Sequence, residues 1–287
     1  MNVKDFLFAA WQYPVPHHPL SRLMGLLTHS ENQWIKQNYI RFIVKRFGVN
    51  MDEALEQDIS QFKHFNAFFT RALKADARPI VKENNKLASP VDGCVSQMGL
   101  IKKDQVFQAK GHSYSLSTLL GGDDKWTKSF TNGEFATLYL SPKDYHRIHM
   151  PCDAKLKEMR HVPGRLFSVN PATVRSVPGL FARNERVVCL FNTPVGPMAM
   201  ILVGAIFVAS IETVWSGVIT PPTQKEIQTS IFGDGFQKVT LLKGQEMGRF
   251  NMGSTVILLF GKDKMKWLEG LKAESDVKMG QEIGSIL

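Results

Sequence analysis

Phe250-Asn251-Met252-Gly253-Ser254-Thr255-Val256-Ile257-Leu258-Leu259-Phe260 sets a Gly-Ser-Thr step directly against an apolar run. The residues after Ser254 are strand formers, so its hydroxyl is expected at the mouth of a buried strand rather than on a loop. Gly253 has no Cβ, which leaves its carbonyl open to attack and frees its backbone. A neighbouring serine hydroxyl can attack that carbonyl to form an ester. Elimination from the ester would turn Ser254 into a dehydroalanine and then into a ketone-bearing pyruvoyl group. Most Gly-Ser-Thr tripeptides simply begin a strand, and the tripeptide alone leaves both readings open.

Outward from this stretch the texture is β-rich. From Arg78-Pro79-Ile80 onward, short β-branched runs at 136–140, 186–191 and 211–215 are punctuated by Gly and Pro. Many short strands with closely spaced turns predict a β-rich sandwich or a partly closed barrel. Residues 1–73 read differently. Two short helices fit the apolar clusters on either side of Pro14-Val15-Pro16. Ser30 with Gln33 suggests a capping box for a third helix, and Gly48 is placed to end it. Residues 51–73 suggest two more short helices with a Phe62, Phe65, Phe68, Phe69 face. The expected fold class is therefore α+β, an N-terminal helical region (1–73) before a β-rich domain (74–287), with a change of texture rather than a linker between them.

A chain of 287 residues, 44% hydrophobic, can bury a substantial core. Its 3 cysteines, Cys94, Cys152 and Cys189, are widely spaced and read as reduced thiols. No small-residue cleavage site follows the first apolar cluster, so no signal peptide is expected. The apolar stretch at 198–211 contains Gly204 and is too short to span a bilayer. A net charge of +9 favours acidic partners. No zinc-finger spacing or Lys/Arg block points to nucleic acid, which leaves an anionic lipid surface or an acidic small molecule. Trp34, Ile35, Tyr39, Phe42, Ile43 and Phe47 recur at helical spacing beside Lys36, Arg41, Lys45 and Arg46. That pattern suits a helix lying on an anionic membrane as well as one packed on the protein.

Two upstream stretches carry side chains able to work with Ser254. In Ala88-Ser89-Pro90-Val91-Asp92-Gly93 a carboxylate sits in a tight turn, a common place for Asp. In Asp144-Tyr145-His146-Arg147-Ile148-His149-Met150-Pro151 two histidines flank an arginine, and histidine suits proton transfer near neutral pH. A third metal ligand is not evident, so no metal is expected.

These stretches, with Asn66-Ala67-Phe68-Phe69-Thr70-Arg71, Arg78-Pro79-Ile80, Asn184-Glu185-Arg186-Val187-Val188 and Gly248 to Thr255, together resemble the phosphatidylserine decarboxylases of the bacterial, membrane-associated type. The resemblance runs from about residue 60 to the end. Met252 departs from the family's usual Leu before Gly-Ser-Thr, a volume-conserving change. The resemblance implies self-cleavage between Gly253 and Ser254, with Ser254 becoming a covalent pyruvoyl cofactor. It implies a triad in which His149 takes the Ser254 proton and Asp92 holds the imidazole. His146 would supply the proton to the carbanion left when carbon dioxide departs. The substrate would be phosphatidylserine, converted to phosphatidylethanolamine through a Schiff base. The implied assembly is a heterodimer of the two cleavage chains, further dimerised, held peripherally on the cytoplasmic face of the inner membrane.

Three other readings use the same residues: a pyruvoyl decarboxylase of a soluble amino acid, a serine hydrolase working with Ser254 intact, and a non-catalytic membrane-binding module. The basic, aromatic N-terminal helices argue against the first, and the lack of a Gly-x-Ser-x-Gly elbow against the second. The third requires an uncut chain.

Overall fold

A computed structural model describes residues 3–206, 210–220, 226–233, 238–251, 253 and 255–287. Ser254 and Met252 lie outside the described residues. The strand Thr255–Phe260 is hydrogen-bonded along both edges, to Gly196–Val203 on one side and to Glu134–Tyr139 on the other. It is the middle of a 9-stranded antiparallel sheet. Side chains alternate across a strand. Val256, Leu258 and Phe260 enter one core with Met200, Leu202 and Phe191. Ile257 and Leu259 enter another with Ala199, Ile201 and Val188. All six residues of the strand are buried, which explains an apolar run with no polar alternation.

Each face of the sheet has its own cover. Beneath Ile257 lie the hairpin Gln105–Ala109/His112–Ser115 and four short helices that supply Leu119, Phe130, Val174 and Phe181. On the opposite face a 3-stranded sheet (Lys86–Ala88, Glu282–Ile286, Met265–Trp267) supplies Leu87 and Ile283. Beside it a 4-stranded sheet (Gly217–Val218, Ile211–Thr213, Glu246–Phe250, Arg147–His149) supplies Ile211, Phe250 and Ile148. The fold is α+β and mostly antiparallel. Sheets stack face to face on one side, and among the described residues none closes into a barrel.

The N-terminal region holds four helices: α1 (Val3–Ala10), α2 (His17–Thr28), α3 (Gln33–Phe47) and α4 (Phe65–Phe69). Ile40 and Ile43 of α3 pack on Phe62, Phe65, Phe68 and Phe69 as a separate small core. Gly48 ends α3 in a left-handed conformation with φ 69°, a geometry glycine adopts without a Cβ penalty. The N-cap is Asn32, not Ser30. Its side chain accepts from the backbone N–H groups of Trp34 and Ile35 at 3.0 and 3.2 Å, and it lies nearer the first apolar residue of the helix.

Only one of the two helices expected over 51–73 forms. At Asn50, Glu56 and Asp58 the side chains accept from backbone N–H groups two residues on, local bonds that compete with a helix. Lys36 also departs from expectation. It is 4% exposed, and its Nζ donates to the carbonyls of Ser60 and Phe62 at 3.1 and 2.5 Å. It ties α3 to the loop before α4, leaving Arg41, Lys45 and Arg46 as the exposed basic residues of that face. No helix among the described residues is long and apolar enough to cross a membrane.

Candidate active site

Strand pairing brings three distant stretches together. Arg147–His149 pairs with Glu246–Phe250, the strand that leads to Gly253. The Phe250 N–H donates to the His146 carbonyl at 3.1 Å, and the His149 N–H to the Pro90 carbonyl at 2.8 Å. Tyr139 pairs with both Cys94 and Thr255. Gly93 permits this approach, since a Cβ there would lie 2.3 Å from the Tyr139 carbonyl oxygen. The Asp92 turn, both histidines and the Gly253 segment thus share one end of the molecule.

The His149 ring is held at both nitrogens. Nδ1 lies 2.7 Å from the Gly244 carbonyl and Nε2 3.1 Å from the Tyr145 hydroxyl. The carbonyl can only accept, so Nδ1 carries the proton and Nε2 the lone pair. Burial raises the Tyr145 phenol to about 12, so it remains protonated and donates. Burial also lowers the His149 pKa, against the opposing pull of the Gly244 carbonyl, Glu246 and Asp92. A base that is neutral around pH 7 results. The turn supplying the carbonyl requires a glycine, because Gly244 has φ 80° and a Cβ there would sit 2.2 Å from Ile80 Cδ1.

Asp92 is buried, and its carboxylate faces Arg78. Arg78 Nε lies 2.8 and 3.0 Å from its two oxygens and Nη2 lies 2.5 Å away, while the Met279 N–H donates at 2.8 Å. Glu53 accepts from the same guanidinium at 2.7 Å. No hydrogen bond joins Asp92 to His149. The imidazole is oriented by the Gly244 carbonyl, and Asp92 acts on it through its charge.

His146 is fully buried. Its Nδ1 lies 2.8 Å from the Asp144 carbonyl, its ring packs 4.0 Å from that of Phe69, and its Nε2 has no partner among the described residues. Burial pulls its pKa to about 3; the Asp144 carbonyl opposes this and the Arg71 charge adds to it. Arg71 is itself 4% exposed, with Nη2 3.4 Å from the Lys143 carbonyl and Nε unpartnered. Arg71, Arg78 and Tyr145 lie within the motif stretches, but the sequence assigns them no role. Only the fold reveals what they touch.

Two cavities flank α4. An apolar one of about 410 Å³ is lined by Trp11, Tyr39, Phe42, Phe65, Phe69 and Gly253. A larger, more polar cleft of about 1010 Å³ is lined by Arg22, His29, Asn66, Arg249 and Asn251. Among the described residues no cluster of three or more His, Cys, Asp or Glu is arranged to hold a metal ion.

Comparison with known proteins agrees with this geometry. A family model described as phosphatidylserine decarboxylase matches residues 65–285, and a second, described as PSD, matches 7–48. The chain is 54% identical over 286 residues to the phosphatidylserine decarboxylase proenzyme of Alcanivorax borkumensis, covering 99% of this chain and 98% of that protein. It is 53% identical over 287 residues to the proenzyme of Hahella chejuensis, covering 100% of this chain and 96% of that one. With the Pseudomonas putida proenzyme it shares 53% over 284 residues, 99% of each chain. The histidine pair, the Asp92 turn and the Gly253 segment meet at one end of a chain that belongs to the phosphatidylserine decarboxylase family.

Proposed function

We propose that this chain cuts itself between Gly253 and Ser254 and then decarboxylates phosphatidylserine to phosphatidylethanolamine. The observation that carries the reading is the convergence of Asp92, His146 and His149 on the strand leading to Gly253, within a chain of this family.

In the self-cleavage step His149 is the base. Its lone pair is on Nε2, capped in the uncut chain by the Tyr145 hydroxyl, and moving that hydroxyl aside frees the nitrogen for the Ser254 proton. Asp92, fixed by Arg78 and the Met279 N–H, offsets the positive charge that then forms on the ring. Among the described residues nothing lies within 4 Å of a Cβ built at Gly253.

The residues around position 254 suit a pyruvoyl group. His146 Nε2 and Thr255 Oγ1 are buried polar atoms without partners among the described residues, and Gly253 borders an apolar cavity. Such a ketone supplies an electrophile for an amine and an electron sink for a carboxylate. The cavity is of a size common for ligand sites and suits hydrocarbon from a lipid better than a soluble amino acid. Arg22 and Arg249, on the other side of α4, offer positive charge for a phosphate.

Residues 1–73 form the membrane-proximal part and 74–287 the catalytic part. Leu23, Leu26, Trp34 and Phe42 are exposed on α2 and α3 beside Arg41, Lys45 and Arg46, an arrangement for peripheral binding to the anionic cytoplasmic face of the inner membrane. The two cleavage chains stay together as a heterodimer, which dimerises further.

Denaturing mass spectrometry of the purified protein tests the reading. It should show residues 1–253 and a 34-residue piece from 254 to 287 with a pyruvoyl terminus, and Ser254→Ala should stay whole. Full decarboxylase activity from an intact chain with an unmodified Ser254 would overturn it.

A further inference from the structure

A histidine that protonates carbon needs a proton on the nitrogen facing that carbon. In His146 the single proton of the neutral ring is committed elsewhere, because the Asp144 carbonyl 2.8 Å from Nδ1 can only accept. Nε2 therefore carries a lone pair, and among the described residues it is buried with no donor. The surroundings keep the ring neutral. Phe69 packs on its face, the Arg71 cation opposes a second positive charge, and the Asp144 carboxylate is turned toward the N–H and hydroxyl of Ser141 at 2.7 Å each. As it stands, His146 has nothing to donate at Nε2.

We propose that His146 enters the reaction as a base: Nε2 accepts the substrate's ammonium group, takes one proton from it, and later returns that proton to the carbon that has lost carbon dioxide. The proposal rests on the decarboxylase reading above. Phosphatidylserine brings one ammonium and two anions, and only the ammonium can donate to Nε2. The anions raise the basicity of an imidazole beside them, while withdrawal from water lowers that of the ammonium. Both effects move the balance toward Nε2 when the site is filled.

The protons balance. The ammonium loses one N–H proton to Nε2, which leaves the amine a nucleophilic lone pair. When the bond to the carboxylate breaks, its electron pair stays on the substrate carbon, carbon dioxide leaves, and Nε2–H passes its proton to that carbon. The ring returns to the neutral form with Nδ1–H still on Asp144. The product amine takes one proton from water on release, so each turnover consumes one proton from solution, as replacement of a carboxylate by hydrogen requires.

Nitrogen NMR on full-length Ser254→Ala protein labelled at histidine reads the tautomer directly, with the His146 signal identified by its loss in Ser254→Ala/His146→Gln. In lipid-free protein Nε2 should show the shift of an unprotonated nitrogen from pH 8 to pH 5. Short-chain phosphatidylserine should move it toward the protonated shift, whereas phosphatidic acid, which has the phosphate but no amine, should not. A protonated Nε2 in lipid-free protein, or an equal response to both lipids, would overturn the proposal. Repeating the lipid-free spectrum on cut wild-type enzyme guards against a folding defect in the variant. Carbon dioxide release by that wild-type sample, alongside a wrong tautomer, would sink the proton route and leave the decarboxylase reading standing.

Discussion

His146 and His149 lie three residues apart and meet different surroundings, so they should fail in different ways. His149→Ala should accumulate uncut precursor on a gel. His146→Ala should cut normally and lose about a hundredfold to ten-thousandfold in carbon dioxide release, the usual range for a positioned proton-transfer group. Equal cutting by both variants would contradict the division of roles. His146 also makes stability depend on pH. In the unfolded chain it titrates near 6.5 and in the fold near 3, so between these values the unfolded state binds the extra proton. Stability therefore rises with pH through this window and is lost as pH falls below 6.5, by about 1.4 kcal/mol per unit. Urea unfolding of Ser254→Ala should show a larger drop from pH 6.5 to 5.5 than the same chain with His146→Gln. His146 and His149 stood out as candidates because few residue types suit proton transfer, whereas Asp92, in a turn where Asp is common, stood out only through the family resemblance. The Arg78 clamp on Asp92 was not legible, because the ion pair spans a turn that only the folded chain closes.

At the scale of elements, α3 was legible from its period of apolar residues and its glycine stop. The four helices beyond residue 74 were not, since they are 4 to 7 residues long, too short to display a helical period. The burial of Lys36 was equally hidden, as charge on a helix face says nothing about which loop will cover it. Reversing only the exposed residues, Arg41→Glu, Lys45→Glu and Arg46→Glu together, should weaken co-sedimentation with anionic liposomes and activity on vesicles while leaving the Gly253-Ser254 cut intact. Wild-type binding should weaken in 1 M salt, where screening shortens to about 3 Å, and persist in part through the exposed Trp34, Phe42 and Leu26. Unchanged vesicle binding by a folded, cut triple variant would remove the electrostatic role of this helix. Asn32→Ala should lower stability by about 1 kcal/mol through loss of the cap, as measured by urea unfolding.

Across the whole molecule, β-richness was legible from the spacing of short strands. The layering was not, because pairing of 255–260 with 196–203 and 134–139 joins segments that no local pattern relates. The piece from 254 onward supplies the central strand, two strands of the small sheet and a partner for the Gly93–Leu100 strand. Its Met279 N–H also holds Asp92. On the proposed mechanism the fold must therefore be complete before the cut. Refolding from urea should be independent of protein concentration for Ser254→Ala, and concentration-dependent and incomplete for the cut enzyme. Full, concentration-independent recovery of the cut enzyme would show that the two pieces find each other without the covalent link.

That central strand, laced along both edges and beginning one residue after the proposed cut, bears on how the enzyme ages. If the chain cuts at Gly253-Ser254 as proposed, the bond that guided the strand into the middle of the sheet is absent from the working enzyme, and the arrangement it helped to form is held by the sheet alone. Its working life is then a matter of how slowly the sheet opens. A molecule that does open should regain its fold only in part, since its two pieces must first find each other again.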